Sequence, residues 1–62
     1  MDPDAKAKFM KVYADLPIGI RREIIALIDE EPVSWNVAFF EIKKNTEKGE
    51  KILNKILSLG IL

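Results

Sequence analysis

Four lysines near the carboxyl end are the residues whose spacing most suggests a chemical role. Lys44, Lys48, Lys51 and Lys55 are separated by four, three and four positions. If this region is helical, such spacings place the side chains along one side of the helix. A row of ammonium groups can follow a phosphate backbone, with binding that weakens as salt is raised. The alternative is a solvated helix face that keeps the chain soluble.

Residues equipped for catalysis are few. The chain has neither histidine nor cysteine, which removes the commonest proton-transfer group, the thiol nucleophile and the Cys/His zinc sites. Ser34 and Thr46 suit helix N-caps, and the adjacent Glu30 and Glu31 would point in different directions at the end of a helix. The three glycines stand apart, so there is no glycine-rich phosphate loop. We expect no enzymatic activity, no cofactor and no small-molecule substrate.

Apolar residues without an evident place in a core are the second functional signal. In the segment after Ser34, one helix face would carry Trp35 and Ile42 and the other Val37 and Phe40. A short chain has little depth in which to bury both faces, so the second face indicates a docking or dimer surface. The alternative is that these residues complete the core. The expected interface consists of Val37, Phe40, Met10, Ile61 and Leu62.

Charge is balanced over the whole chain but not along it. Ten basic and ten acidic residues cancel, which is atypical of strongly basic nucleic-acid proteins. Residues 21–41 have two arginines against five acidic residues, a net charge of −3, and residues 42–62 have five lysines against two glutamates, a net charge of +3. The missing glutamine and the high charged fraction form a bias seen in thermophile proteins.

No apolar run approaches the roughly 20 residues needed to cross a bilayer. The first residues, MDPDAKAK, lack the apolar segment of a signal peptide. We therefore expect a cytoplasmic chain that does not insert into membranes.

Helix start and stop signals divide the 62 residues into four expected helices. The first begins at an Asp2 cap followed by Pro3 and ends at Leu16, before the next proline. The second should run from residue 17 or 19 to Glu30, because apolar residues recur there at spacings of three and four. A strand over the segment EIIALID is the alternative, since isoleucine is β-branched.

The two remaining helices are marked by polar caps. Ser34 should cap a helix reaching about Lys44, and Thr46 a helix that Gly60 closes in a left-handed conformation. The expected fold is therefore all-α: one domain, a small bundle of four short helices, with the last three in a helix-turn-helix-like arrangement. Its expected core consists of Phe9, Val12, Ile24, Leu27, Ile28, Trp35, Phe39, Ile42, Leu53 and Ile56.

Residues 21–62 resemble the three-helix core of winged-helix and helix-turn-helix regulators. The resemblance lies in an acidic-proline turn at Glu31 and Pro32, the Ser34 cap, the aliphatic Ile42 and the last-helix pattern Leu53, Ile56, Leu59, Gly60, Ile61 and Leu62. It implies a recognition helix over residues 46–59. In that helix Lys48, Lys51 and Lys55 would contact phosphates and Asn54 a base edge.

Two functional hypotheses follow. The first is a non-enzymatic interaction module that self-associates, as a homodimer, or docks onto a protein partner through Val37 and Phe40. The alternative is a small helix-turn-helix DNA-binding protein that uses the lysine row.

Overall fold

The computed structural model describes residues 1–62 and shows three α-helices and one two-stranded antiparallel sheet. The all-α bundle of four helices expected from the sequence is therefore wrong. A single 3₁₀ turn at Ile20–Arg22 precedes the sheet. The helices and strands, in chain order, are α1 (Pro3–Asp15), β1 (Ile24–Ile28), β2 (Glu31–Ser34), α2 (Trp35–Lys43) and α3 (Glu47–Ser58).

The helix ends lie where the polar caps predicted them. The Asp2 carboxylate accepts from the Asp4 N–H at 2.9 Å, the Ser34 hydroxyl from Val37 N–H at 3.2 Å, and the Thr46 hydroxyl from the N–H of residue 49 at 2.9 Å. Each cap satisfies a backbone donor that has no partner inside its helix. Gly60 has φ +74 and follows Leu59, the C-cap of α3, which confirms the predicted left-handed stop.

The predicted second helix, from residue 17 or 19 to Glu30, is a β-hairpin. β1 pairs with β2 around the two-residue turn Asp29-Glu30, whose φ angles are 51 and 68. Positive φ at both central residues is the geometry that matches the twist of two short antiparallel strands. The strand wins because β-branched isoleucines lose side-chain freedom in a helix and pack well in a sheet. Pairing of β1 with β2 also buries Val33, whereas a helix ending at Glu30 would leave Val33 in the loop that follows it.

A bulge in β1 decides which hairpin side chains are buried. Ala26 lies opposite Val33, but Ile24 lies opposite Ser34, so Ile25 is the extra residue. An extra residue reverses the alternation of side chains along a strand. Ala26 and Ile28, in the regular part of β1, face the core, and Ile24, on the other side of the bulge, is consequently 56% exposed. Leu27, opposite Pro32, is 60% exposed.

The core lies between the inner face of the hairpin and the three helices. Six of the residues predicted to form it are buried, while Val12 and Phe39 are half-buried and pack against it. The prediction is wrong for Ile24, which the bulge turns outward, and for Leu27, which alternates with the inward-facing Ala26 and Ile28. The buried residues are Ala5, Phe9, Ala26, Ile28, Val33, Trp35, Ala38, Ile42, Ile52, Leu53 and Ile56.

Aromatic stacking joins α1 to α2. The Tyr13 and Phe39 rings stack with centroids 4.1 Å apart, and Phe9 and Trp35 stack at 5.9 Å. The Tyr13 hydroxyl donates to the Asn36 side-chain oxygen at 2.7 Å. Such pairs add roughly 0.5–1.5 kcal/mol to the burial of the rings themselves. Trp35 is thus part of the core, as predicted.

Candidate protein-interaction surfaces

The outer face of α2 carries two apolar side chains that no other element covers. Val37 is 38% exposed and Phe40 53% exposed, because Trp35, Ala38 and Ile42 direct the opposite face of the helix into the core. Lys44 follows the last residue of α2, and its Nζ atom lies 4.2 Å from the centre of the Phe40 ring. This contact shields part of the ring with an ammonium group and leaves its edge open. We call Val37 and Phe40 the α2 face.

The remaining predicted interface residues do not extend the α2 face as a set. Met10 and Leu62 are half-buried and pack against the core. Ile61 is 38% exposed and follows the end of α3, where its N–H donates to the Ile56 carbonyl at 3.3 Å. The structure therefore places Val37 and Phe40 together and gives Met10 and Leu62 packing roles.

The outer face of the hairpin is a second apolar surface, and the sequence did not predict it. Ile24 and Leu27 were expected in the core, yet both are more than half exposed. The signal for this surface was the isoleucine-rich segment itself: as a strand it must expose part of its aliphatic residues unless both faces of the sheet are covered. Only one face of this hairpin packs on helices.

The lysine row is divided between two helices and partly neutralised. Lys44 belongs to the end of α2, so only Lys48, Lys51 and Lys55 share α3. The Lys48 Nζ atom lies 2.9 Å from a Glu31 carboxylate oxygen, and Lys51 Nζ lies 3.6 Å from Asp29. The hydrogen bond that Lys48 donates to the Glu31 carboxylate raises the pKa of Lys48 above its ordinary value.

Glu30 and Glu31 were predicted to be the acidic end of a helix, and this is wrong. Glu30 lies in the hairpin turn and Glu31 is the first residue of β2. Asp29 and Glu31 come from the segment of net charge −3, and their lysine partners come from the segment of net charge +3. These complementary charges form ion pairs between the hairpin and α3.

A groove of about 440 Å³ runs between the end of β1 and the outer side of α3. Lys55 lines it and makes no ion pair, and the Ser58 hydroxyl beside it donates to the Lys55 carbonyl at 2.7 Å. Its walls therefore combine an aliphatic edge with cationic and neutral polar groups. The lining residues are Leu27, Ile28, Asp29, Lys51, Asn54, Lys55 and Ser58.

The hydroxyls considered for catalysis have structural partners. The Ser34 hydroxyl accepts from a backbone N–H of α2, and the Thr46 hydroxyl donates to the Glu41 carboxylate at 2.7 Å while capping α3. An activated nucleophile needs a neighbouring base that takes its proton. Glu41 is the one carboxylate placed to do so, and the Thr46 oxygen that it contacts is at the same time accepting the backbone N–H of residue 49.

None of the helices is both long enough and apolar enough to span a membrane. Comparison with protein-family models, curated proteins and solved structures finds no match to this chain. Inference about function therefore depends on its own surfaces.

Proposed function

We propose that this chain is a non-enzymatic interaction module that self-associates through the α2 face. The main support for this proposal is that Phe40 and Val37 are exposed on a helix whose opposite face is buried in the core. They belong to a larger group: nine large apolar side chains are exposed by more than a third in a chain of 62 residues. Exposed apolar side chains that share one helix face, as Val37 and Phe40 do, favour burial against another protein.

A symmetric contact makes efficient use of the α2 face. In a two-fold dimer the same patch is contributed by both copies, so Val37 and Phe40 are each buried twice. Completing the burial of a half-exposed Phe side chain contributes about 1 kcal/mol, taken as half of the value for full burial. A stable interface covers about 800 Å² on each partner, about a fifth of this chain's surface of 4099 Å². The α2 face would be the centre of such an interface rather than its whole area.

Light scattering coupled to gel filtration, over a series of protein concentrations, tests the proposal. The apparent mass should rise with concentration for the native chain, and Phe40→Glu should hold it at one copy. Ala7→Glu is the matched control, because it adds the same charge at an exposed position of α1. Circular dichroism on both variants separates lost association from lost folding. A native chain that remains a single copy throughout would end the proposal.

A second candidate function is DNA binding by α2 and α3. The specific observation in its favour is the three-residue connection between them, in which Asn45 has φ 56. A connection of three or four residues is the usual link of a helix-turn-helix pair. The hairpin replaces the first helix of the three-helix core that residues 21–62 resemble, so only this pair supports the candidate. The outer side of α3 would then present Lys51, Asn54 and Lys55 to the nucleic acid.

A fluorescence titration with mixed-sequence duplex DNA distinguishes the candidates. Binding through α3 should weaken steeply as salt is raised, and Lys51→Glu and Lys55→Glu should each weaken it. Lys11→Glu on α1 supplies the same charge change away from α3. An absence of binding at about 50 mM salt, where phosphate contacts are strong, would eliminate this candidate.

A further inference from the structure

The two edges of the hairpin differ in their capacity to accept another strand. Ile28 and Glu31 flank the two-residue turn, so they exchange hydrogen bonds, and the next pair, Leu27 and Pro32, directs its backbone groups away from the partner strand. On the β2 edge, the residue whose backbone groups face outward is Pro32, which has no N–H to donate. On the β1 edge it is Leu27, with both its N–H and its C=O available. The β1 edge is therefore the competent one.

The groove described above adjoins the β1 edge. Its strand residues belong to β1 and the turn, and none belongs to β2. Asn54 and Ser58 line its opposite wall from α3. A chain lying along Leu27 would therefore have its alternate side chains directed toward polar groups of α3.

The net positive charge of the groove indicates which kind of ligand is complementary to it. Two ammonium groups, those of Lys51 and Lys55, line it against the single carboxylate of Asp29. The Lys51–Asp29 pair is long, at 3.6 Å, with both side chains more than half exposed, so it gives little stabilisation that a ligand would have to replace. Lys55 has no acidic partner. The electrostatic complement of this wall is a carboxylate-bearing segment.

We infer that the open edge of β1 accepts an extended acidic segment of a partner protein as a third strand. Backbone hydrogen bonds to Leu27 hold the segment, and its carboxylates meet Lys51 and Lys55. The bulge at Ile25 limits the regular edge to residues 26–28, so pairing is short. A second copy of β1 fits less well, because residues 24–28 carry no acidic group and two-fold pairing brings the lysines of both copies together.

The test uses the full chain, nitrogen-labelled for NMR, and a short blocked peptide of alternating valine and glutamate. The peptide should bind saturably, and the Leu27 amide should become protected from hydrogen exchange on binding. Lys55→Glu should weaken binding about five-fold, because an attraction between exposed charges becomes a repulsion of similar size. Lys11→Glu, with the same charge change on α1, should leave the affinity as it is.

A second peptide isolates the strand pairing without altering the protein. Methylation of alternate backbone nitrogens removes the donors that a third strand needs and preserves the charges, so it should abolish binding. Equal affinity for the methylated peptide, no change at the Leu27 amide, or no saturable binding of the acidic peptide would each overturn the inference. Binding of duplex DNA in the groove, with none of the peptide, would overturn it in favour of nucleic acid. Self-association through the α2 face is measured separately by light scattering, so the peptide-binding result and the self-association result can fail independently.

Discussion

Replacing Gly49 by alanine is expected to destabilise the chain, although the helix propensity of alanine alone would predict the reverse. In an exposed helix interior the change stabilises by up to about 1 kcal/mol. Here Gly49 is buried where α3 crosses α2. A Cβ atom built on it would lie 2.6 Å from the Glu41 carbonyl carbon and 2.9 Å from the Ile42 nitrogen. Both atoms are backbone, so the clash is relieved only if the helices separate.

The size of the effect follows from that separation. Carbon atoms in contact normally lie about 3.5–4.0 Å apart, so α3 must shift by about 1 Å. The shift disturbs the core packing of α2 and α3, in which Ile42, Ile52 and Ile56 are fully buried. Overpacking typically costs about 1–3 kcal/mol, and the propensity gain offsets part of it. We expect a net loss of about 1–2 kcal/mol, from a total of about 3–9 kcal/mol for a domain of this size.

Urea and thermal unfolding followed by circular dichroism measure this loss. The expected lowering of Tm is roughly 5–15 °C, since each kcal/mol shifts a small domain by about 4–8 °C. Gly19→Ala is the matched control, because a Cβ there meets no atom within 4 Å and its φ of −63 suits alanine. That variant should be neutral or more stable by up to about 1 kcal/mol. A Gly49→Ala chain as stable as the native one would refute the reasoning.

Further substitutions at three sites probe the turn, the cap and the ion pair. Glu30→Gly should raise stability by about 0.5–1 kcal/mol in urea unfolding, since glycine relieves the left-handed strain of about 1–2 kcal/mol at some entropic cost; Glu30→Val should lower it. Thr46→Ala should cost about 1 kcal/mol by removing the cap of α3, and Thr46→Ser should restore most of it. The stabilisation from Lys48 and Glu31 is fully present below pH 10.5, the ordinary lysine pKa, and is lost as pH rises through the raised pKa of Lys48. NMR titration should show that pKa falling in Glu31→Gln.

The helix boundaries were predictable because they are set by local chemistry. Asp2, Ser34 and Thr46 each accept a backbone N–H within three residues along the chain, and Gly60 supplies the left-handed stop. Such signals act over one turn and need no knowledge of the rest of the fold. Proline at the start of α1 is of the same kind.

The hairpin was missed because its signals were ambiguous or unusual. Apolar residues at 24, 27 and 28 satisfy a helical spacing, but they are also compatible with a strand whose alternation is reversed by a bulge. The turn lacked its usual marker, since Asp29 and Glu30 adopt a conformation in which glycine or asparagine is preferred at the second position. Pro32 is also compatible with the end of a helix, but it lies where a strand tolerates proline, on an outer edge.

The α2 face was visible in the sequence because a helix with apolar residues on both sides exposes one of them wherever the other goes. The groove was not, because it joins Leu27 and Lys55, which are 28 positions apart, across a contact that exists only once the hairpin forms. The same holds for the carboxylates of Asp29 and Glu31, which meet the lysines of α3. Of these two, Glu31 was predicted to lie, with Glu30, at the acidic end of a helix.

The ion pairs between hairpin and α3 also constrain how the lysines can be used. A phosphate backbone lying on α3 would compete with Asp29 for Lys51 and with Glu31 for Lys48. The carboxylates of Asp29 and Glu31 would remain beside α3 and repel the phosphates. Every phosphate near the turn would be repelled in this way, because the hairpin belongs to the same domain and cannot leave α3. The acidic strand proposed for the β1 edge would also face Asp29, but Lys55 lines the same groove and has no carboxylate partner that would compete for it. We therefore expect the proposed acidic strand to bind at this groove in preference to a nucleic acid.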